Sequence, residues 1–170
     1  MWPVLGLVLL IAFALRVAYL AEAVETPGFT HLMHDAQFKD YWARGIVTGD
    51  WTPPEGRHGG FVEGFPYPNP PGYPYFLAAI YSMTDSGYLA VRIVQVIVDV
   101  GSCLLLFLLA RRLYGALAGV IAAGLMSVYW AFVYYTMELN QPTLFIFLLL
   151  SILLLLQRWG ERRHLGYAWA

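Results

Sequence analysis

The chain has 170 residues, 59% hydrophobic and only 12% charged, with a net charge of −1 and a mean hydropathy of +0.59. A soluble domain carries roughly 45–50% apolar and about 25% charged residues. Here the excess lies in long apolar blocks, which argues against a soluble globular fold and for membrane helices. No basic run exists to track a phosphate backbone, so no nucleic-acid partner is expected. The single cysteine, Cys103, excludes an intrachain disulfide and a thiolate metal site.

The first apolar run, about 2–21, is long enough to cross roughly 30 Å of hydrocarbon. Ala21-Glu22-Ala23 resembles a signal-peptide cleavage site. However, no Lys or Arg precedes the run, the run is long, and Arg16 interrupts it, so it reads as a retained transmembrane helix. An outer loop, about 22–87, follows. Within it, Phe38, Tyr41, Trp42 and Ile46 recur at helical spacing after Asp35, the pattern of an amphipathic interfacial helix that Gly49 ends. Pro53, Pro54, Gly56, Gly59, Gly60 and Gly64 make a loop, and Pro66 to Pro74 delay the next helix to about Tyr75–Met83.

After the turn at Asp85-Ser86-Gly87, a second span is expected over about 88–113, closing on Arg111 and Arg112. A third, about 116–134, is rich in Ala and Gly and reads as a closely packed interior helix. It ends among Tyr129, Trp130, Phe132, Tyr134 and Tyr135. The fourth, about 141–157, starts near Pro142, which suits a first helical turn. A further segment is expected from about Leu165. The fold class is thus an all-α membrane protein: residues 1–170 form a polytopic domain with four transmembrane helices and two short interfacial helices in the outer loop.

Charge sets the orientation. Arg111, Arg112, Arg158, Arg162 and Arg163 fall in two connections on one side, whereas residues 22–72 carry seven acids against three bases. The positive-inside tendency puts the arginines and the N-terminus in the cytoplasm, and the acidic loop outside an inner or plasma membrane. The connection around Tyr135 to Gln141 then shares the outer side with the loop.

Two carboxylates therefore face the same compartment. Asp35 reads either as an N-cap, the commoner role at a helix start, or as a general base or metal ligand. Glu138 is the only acid between Asp99 and Glu161. It reads as a solvated interfacial carboxylate or as a functional one, because ionisable groups near hydrocarbon are costly unless used or paired. His34 and His58 have no metal-ligand spacing, and Glu63 reads locally as a solvated loop residue. Arg92, Gln95 and Asp99 form one stripe of a membrane helix. Asp99 is expected in an intramembrane pair with an arginine that holds the bundle together. Arg92 is left to snorkel or to bind an anionic phosphate.

The ordered set of Asp35-Ala36, PPGYPYFLAAIY (Pro70 to Tyr81), the helix with Arg92 and Gln95, Tyr114-Gly115 and YYTMELNQPTLFIFLL resembles a known family. It is similar to the N-terminal part of GT-C type integral membrane glycosyltransferases, close to the protein O-mannosyltransferase and aminoarabinose transferase groups. The resemblance implies transfer of a sugar from a polyprenyl-phosphate carrier to a protein, lipid or glycan acceptor outside the cytoplasm. It casts Asp35 as base or metal/acceptor ligand and Glu138 as the second site acid. His34, Glu63, Tyr67 and Arg92 are expected to contact substrate, and a divalent metal on Asp35 and Glu138 is left open. Family members are several hundred residues long, so the resemblance also implies an N-terminal portion, inactive in isolation. Two positions depart from the family pattern: Lys39 stands where relatives often carry Tyr, and Asn69 where a basic residue is common. The competing reading is a non-enzymatic transport or assembly module whose acidic loop docks a partner. A transporter should gather polar residues at the membrane midplane, whereas here most gather at the outer end.

Overall fold

The structure, a computed structural model, describes residues 1–52, 70–84 and 87–167, with the backbone alone for His34 and residues 162–167. Among these residues the fold is all-helical: α1 (Trp2–Val24), α2 (His34–Thr48), α3 (Gly72–Tyr81), α4 (Tyr88–Tyr114), α5 (Ala116–Val128), α6 (Trp130–Tyr135) and α7 (Pro142–Tyr167). A single 3-10 turn, Pro27–Phe29, follows α1.

Glycine and proline set the boundaries much as the sequence suggests. Gly49 (φ 75°) closes α2 in the left-handed region and Gly115 (φ 88°) separates α4 from α5, conformations that cost a residue with a Cβ. Pro74 sits in the first turn of α3, where its missing N–H breaks no intrahelical bond; α3 therefore starts at Gly72, earlier than expected. Arg111 and Arg112 occupy the last turn of α4, favourable against the helix dipole. No new segment begins at Leu165, because α7 continues to Tyr167.

Among the described residues three helices are long and apolar enough to cross a membrane: α1, α4 and residues Pro142–Glu161 of α7. The expected continuous helix over 116–134 is instead broken. α5 has 13 residues, about 20 Å at 1.5 Å per residue, and ends at Tyr129, whose backbone is extended (ψ 116°) before α6 begins. No proline lies at the break, but a cap does. Arg16, fully buried on α1, donates from Nη1 to the Ser127 carbonyl at 2.8 Å and, at a longer 3.4 Å, from Nη2 to that of Met126. Its Nε bonds Asp99 Oδ2 of α4 at 2.5 Å. A guanidinium thus satisfies carbonyls that a helix end leaves open, and Asp99 neutralises it. The expected intramembrane pair for Asp99 exists, with Arg16 as its partner.

The rest of the bundle is packed from small residues and aromatics. α4 is central, against α5, α7 and α1. A Cβ on Gly119 would lie 2.9 Å from the Phe107 carbonyl, and one on Gly101 would lie 3.1 Å from the Phe147 ring, so α5 and α7 approach α4 closely there. The expectation of an interior α5 holds for that face alone, since Leu117, Ile121 and Leu125 are exposed. One end of the bundle carries Arg111 stacked 5.0 Å from the Trp2 ring and Arg112 bonded to Glu161 at 3.3 Å. The other end carries α2, α3 and the α6–α7 connection, joined by a core of Ala43, Tyr73, Leu77, Tyr81, Val91 and Leu139.

Candidate functional site

The stripe on α4 organises that second end. Arg92 donates from Nε to the Met137 carbonyl at 2.8 Å, and Gln95 from Nε2 to the carbonyls of Thr136 and Glu138 at 2.8 and 2.9 Å. Tyr73 of α3 donates its hydroxyl to Gln95 Oε1. The α6–α7 connection is short and irregular, so its backbone acceptors need outside donors, and α4 supplies them. Asn140 closes the turn: its N–H reaches Glu138 O at 2.8 Å and its Oδ1 accepts from Gln141 N at 2.9 Å. Glu138 is thereby held by its backbone, and its carboxylate accepts a hydrogen bond from the Tyr134 hydroxyl.

Helix α2 brings the second carboxylate. Its N-cap is Met33, without a side-chain capping bond, and Asp35 lies in the first turn. Asp35 is therefore not the N-cap; its side chain is 65% exposed, with Lys39 Nζ 4.0 Å from Oδ2. Lys39 is buried and donates to Asn140 Oδ1 across the gap. Burial pulls its ammonium below the usual lysine range, and the nearby Asp35 carboxylate only partly offsets this.

These elements enclose a cavity of about 490 Å³ lined by Asp35, Glu138, Arg92, His31, Tyr134 and Asn140 together with the 27–33 segment. Phe29 covers the Arg92 guanidinium, ring centroid 3.9 Å from Cζ, a cation–π contact that holds it in place. Chemically the cavity offers two carboxylates able to accept protons or bind hydroxyls, and one guanidinium able to neutralise an anion. Among the described residues no group of three or more His, Cys, Asp or Glu is arranged to hold a metal.

A second polar network lies on the other face of α2. Asp40 accepts from Tyr81 at 2.6 Å, Tyr88 at 3.1 Å and Arg44 Nε at 2.9 Å, tying α2 to α3 and α4. The Tyr81 hydroxyl is pushed well above its ordinary value by burial and by the Asp40 charge, and Arg44 is pushed up by Asp40 in spite of its partial burial.

Of the residues singled out in the sequence, Asp35, Glu138 and Arg92 line one cavity. Only the backbone of His34 is described, at the start of α2, and Glu63, Tyr67, His58 and Asn69 lie outside the described residues. His31, Tyr134, Lys39 and Asn140 were not identified as site residues. Lys39 was legible as the i+4 partner of Asp35, whereas Asn140 carried no signal of its own.

The long apolar helices and this cavity, with its carboxylates and arginine at one end of the bundle, define a polytopic integral membrane protein with a polar site at the bundle end. Its family is shown by residues 68–170, which match the model described as dolichyl-phosphate-mannose-protein mannosyltransferase. The chain belongs to that family of GT-C type membrane glycosyltransferases, as the motifs from Pro70 to Leu149 suggest. No curated protein matches the chain, and no solved structure does. The matched stretch contains Arg92, Gln95, Glu138 and Asn140; Asp35 and Lys39 precede it.

Proposed function

We propose that this chain carries the catalytic end of a glycosyltransferase that moves a sugar from a polyprenyl-phosphate carrier to an extracytoplasmic protein, lipid or glycan acceptor. The observation that carries the reading is the convergence of Asp35, Glu138 and Arg92, from α2, the α6–α7 connection and α4, on one cavity.

In this scheme the carrier phosphate lies against Arg92. Its Nε–H is committed to Met137 and its Nη1 to the Tyr88 carbonyl at 3.4 Å, so the remaining N–H groups, chiefly those of Nη2, meet the anion. They stabilise the charge that develops as the bond between sugar carbon and phosphate oxygen breaks and its electron pair leaves with the phosphate. Asp35 takes the proton of the acceptor hydroxyl as that oxygen bonds the sugar carbon, and Glu138 orients the acceptor or the sugar through its hydroxyls. A divalent cation held between Asp35 and Glu138 would assist the same charge separation. α5 and α6 together make the fourth crossing, α2 and α3 lie at the outer interface, and the arginine end faces the cytoplasm. The polyprenyl tail then stays in the bilayer while the sugar is presented outside.

The test uses the protein at its full native length in membranes, with a polyprenyl-phosphate sugar as donor. Asp35→Asn and Glu138→Gln should each lower transfer by roughly 100-fold or more, the scale of lost acid–base catalysis. Full activity in both variants would remove these residues from the mechanism. A cysteine-accessibility scan that reports Gly49 and Arg111 on the same side of the membrane would refute the orientation.

A further inference from the structure

Lys39 takes no part in the bond changes described above, yet among the described residues it is the most deeply buried cation at this end of the bundle, 1% exposed. Its surroundings are poor for a charge. The Tyr73 ring centroid lies 5.9 Å from Nζ, Asn140 supplies one neutral oxygen, and the carboxylate paired with Lys39 among the described residues, Asp35, is 4.0 Å away and mostly in solvent. A buried ammonium without a close counter-charge costs stability, and an apolar chain of similar length fills such a space at least as well. Stability therefore does not account for a lysine here.

Its connections do. Along α2, Lys39 lies one turn from Asp35; it also bonds Asn140, a residue 101 positions away, and both Asp35 and Asn140 line the cavity. Asn140 is in turn bonded through its N–H to the carbonyl of Glu138. One ammonium thus reaches both walls of the cavity and both of its carboxylate-bearing segments.

We infer that Lys39 is a positioning residue, which tethers α2 to the α6–α7 connection so that Asp35 and Glu138 face each other at a fixed separation across the cavity. The inference rests on the reading of Asp35 as the residue that serves transfer. The tether acts on geometry, so its loss should appear in kcat. A misplacement of about 1 Å in a reacting group can cost on the order of 100-fold.

The experiment compares Lys39→Met, Asn140→Ala and the double variant with the parent, all at full native length in membranes with polyprenyl-phosphate mannose as donor. Asp35→Asn serves as the reference. Lys39→Met should lower kcat by about 100-fold while the donor KM stays within about threefold, because donor binding is not what the tether supports. Its melting temperature should be no lower than the parent's. Asn140→Ala should show the same kinetic split, and the double variant should be no worse than either single change, since both cut one tether. Near-parental kcat in Lys39→Met, losses that multiply in the double variant, or a lowered melting temperature with a matching loss of all activity would each overturn the inference. If Asp35→Asn itself transfers sugar normally, the transfer reading falls first and the inference with it. An inactive Asp35→Asn beside an active Lys39→Met rejects the tether alone.

Discussion

Asp99→Asn should be among the most destabilising conservative changes in the chain. The substitution keeps shape and hydrogen-bonding capacity but leaves Arg16, fully buried, without its counter-charge. Breaking a buried ion pair by removing one partner costs about 3–5 kcal/mol in soluble proteins. An unpaired charge at the centre of a membrane helix costs about 2.5–3.5 kcal/mol on insertion scales. The two estimates meet near 3 kcal/mol, a factor on the order of 100 in the folded fraction. Arg16→Leu/Asp99→Leu removes both charges and should recover most of that. It should still fall short of the parent by about 1–2 kcal/mol, because the Ser127 carbonyl at the end of α5, and at longer range that of Met126, lose their donor. The assay is reversible unfolding, or protease susceptibility, of the protein in bicelles. An Asp99→Asn variant as stable as the parent would refute the reasoning, as would a double variant no more stable than Asp99→Asn.

Three further outcomes follow from the packing and the buried phenols. Gly119→Val should destabilise by about 1–3 kcal/mol, the range of core overpacking, because its Cβ meets the Phe107 carbonyl at 2.9 Å; an unchanged melting temperature would show that α5 does not seat there. Gly49→Ala should cost about 1 kcal/mol, since φ 75° lies in the left-handed region, and helicity measured on the variant should drop near Thr48. Tyr73 and Tyr81 are raised above the ordinary value of 10.0, chiefly by burial. A folded-state value above the unfolded one means that the native state holds more protons above pH 10, so stability is full below that pH and is lost as pH rises beyond it. Tyr81→Phe should flatten this alkaline loss while lowering stability at neutral pH by about 1 kcal/mol through the lost bond to Asp40; a parallel pH profile would place the titration elsewhere.

The elements themselves were largely legible in the sequence. Apolar runs marked α1, α4 and α7, the last two with arginines at their ends, Gly49 marked the end of α2, and the spacing of Phe38, Tyr41, Trp42 and Ile46 marked that helix itself. The break at Tyr129 was not legible, because its 13-residue run and the aromatic stretch after it carry no proline. The break depends on Arg16, over a hundred positions earlier, capping the freed carbonyls.

The same division holds for the site. The sequence by itself determined that the chain is membrane-embedded, that its polar chemistry sits mainly toward one end, and, through its ordered motifs, which family it belongs to. Local periodicity and the cost of burying charge in hydrocarbon are enough for that. Which charges meet was decided only by the tertiary structure. Arg16 finds Asp99 across 83 positions and Lys39 finds Asn140 across 101, while Asp35, Arg92 and Glu138 come from three separate elements to one cavity. Such pairings follow from how helices pack side by side, and packing distance has no counterpart in sequence spacing.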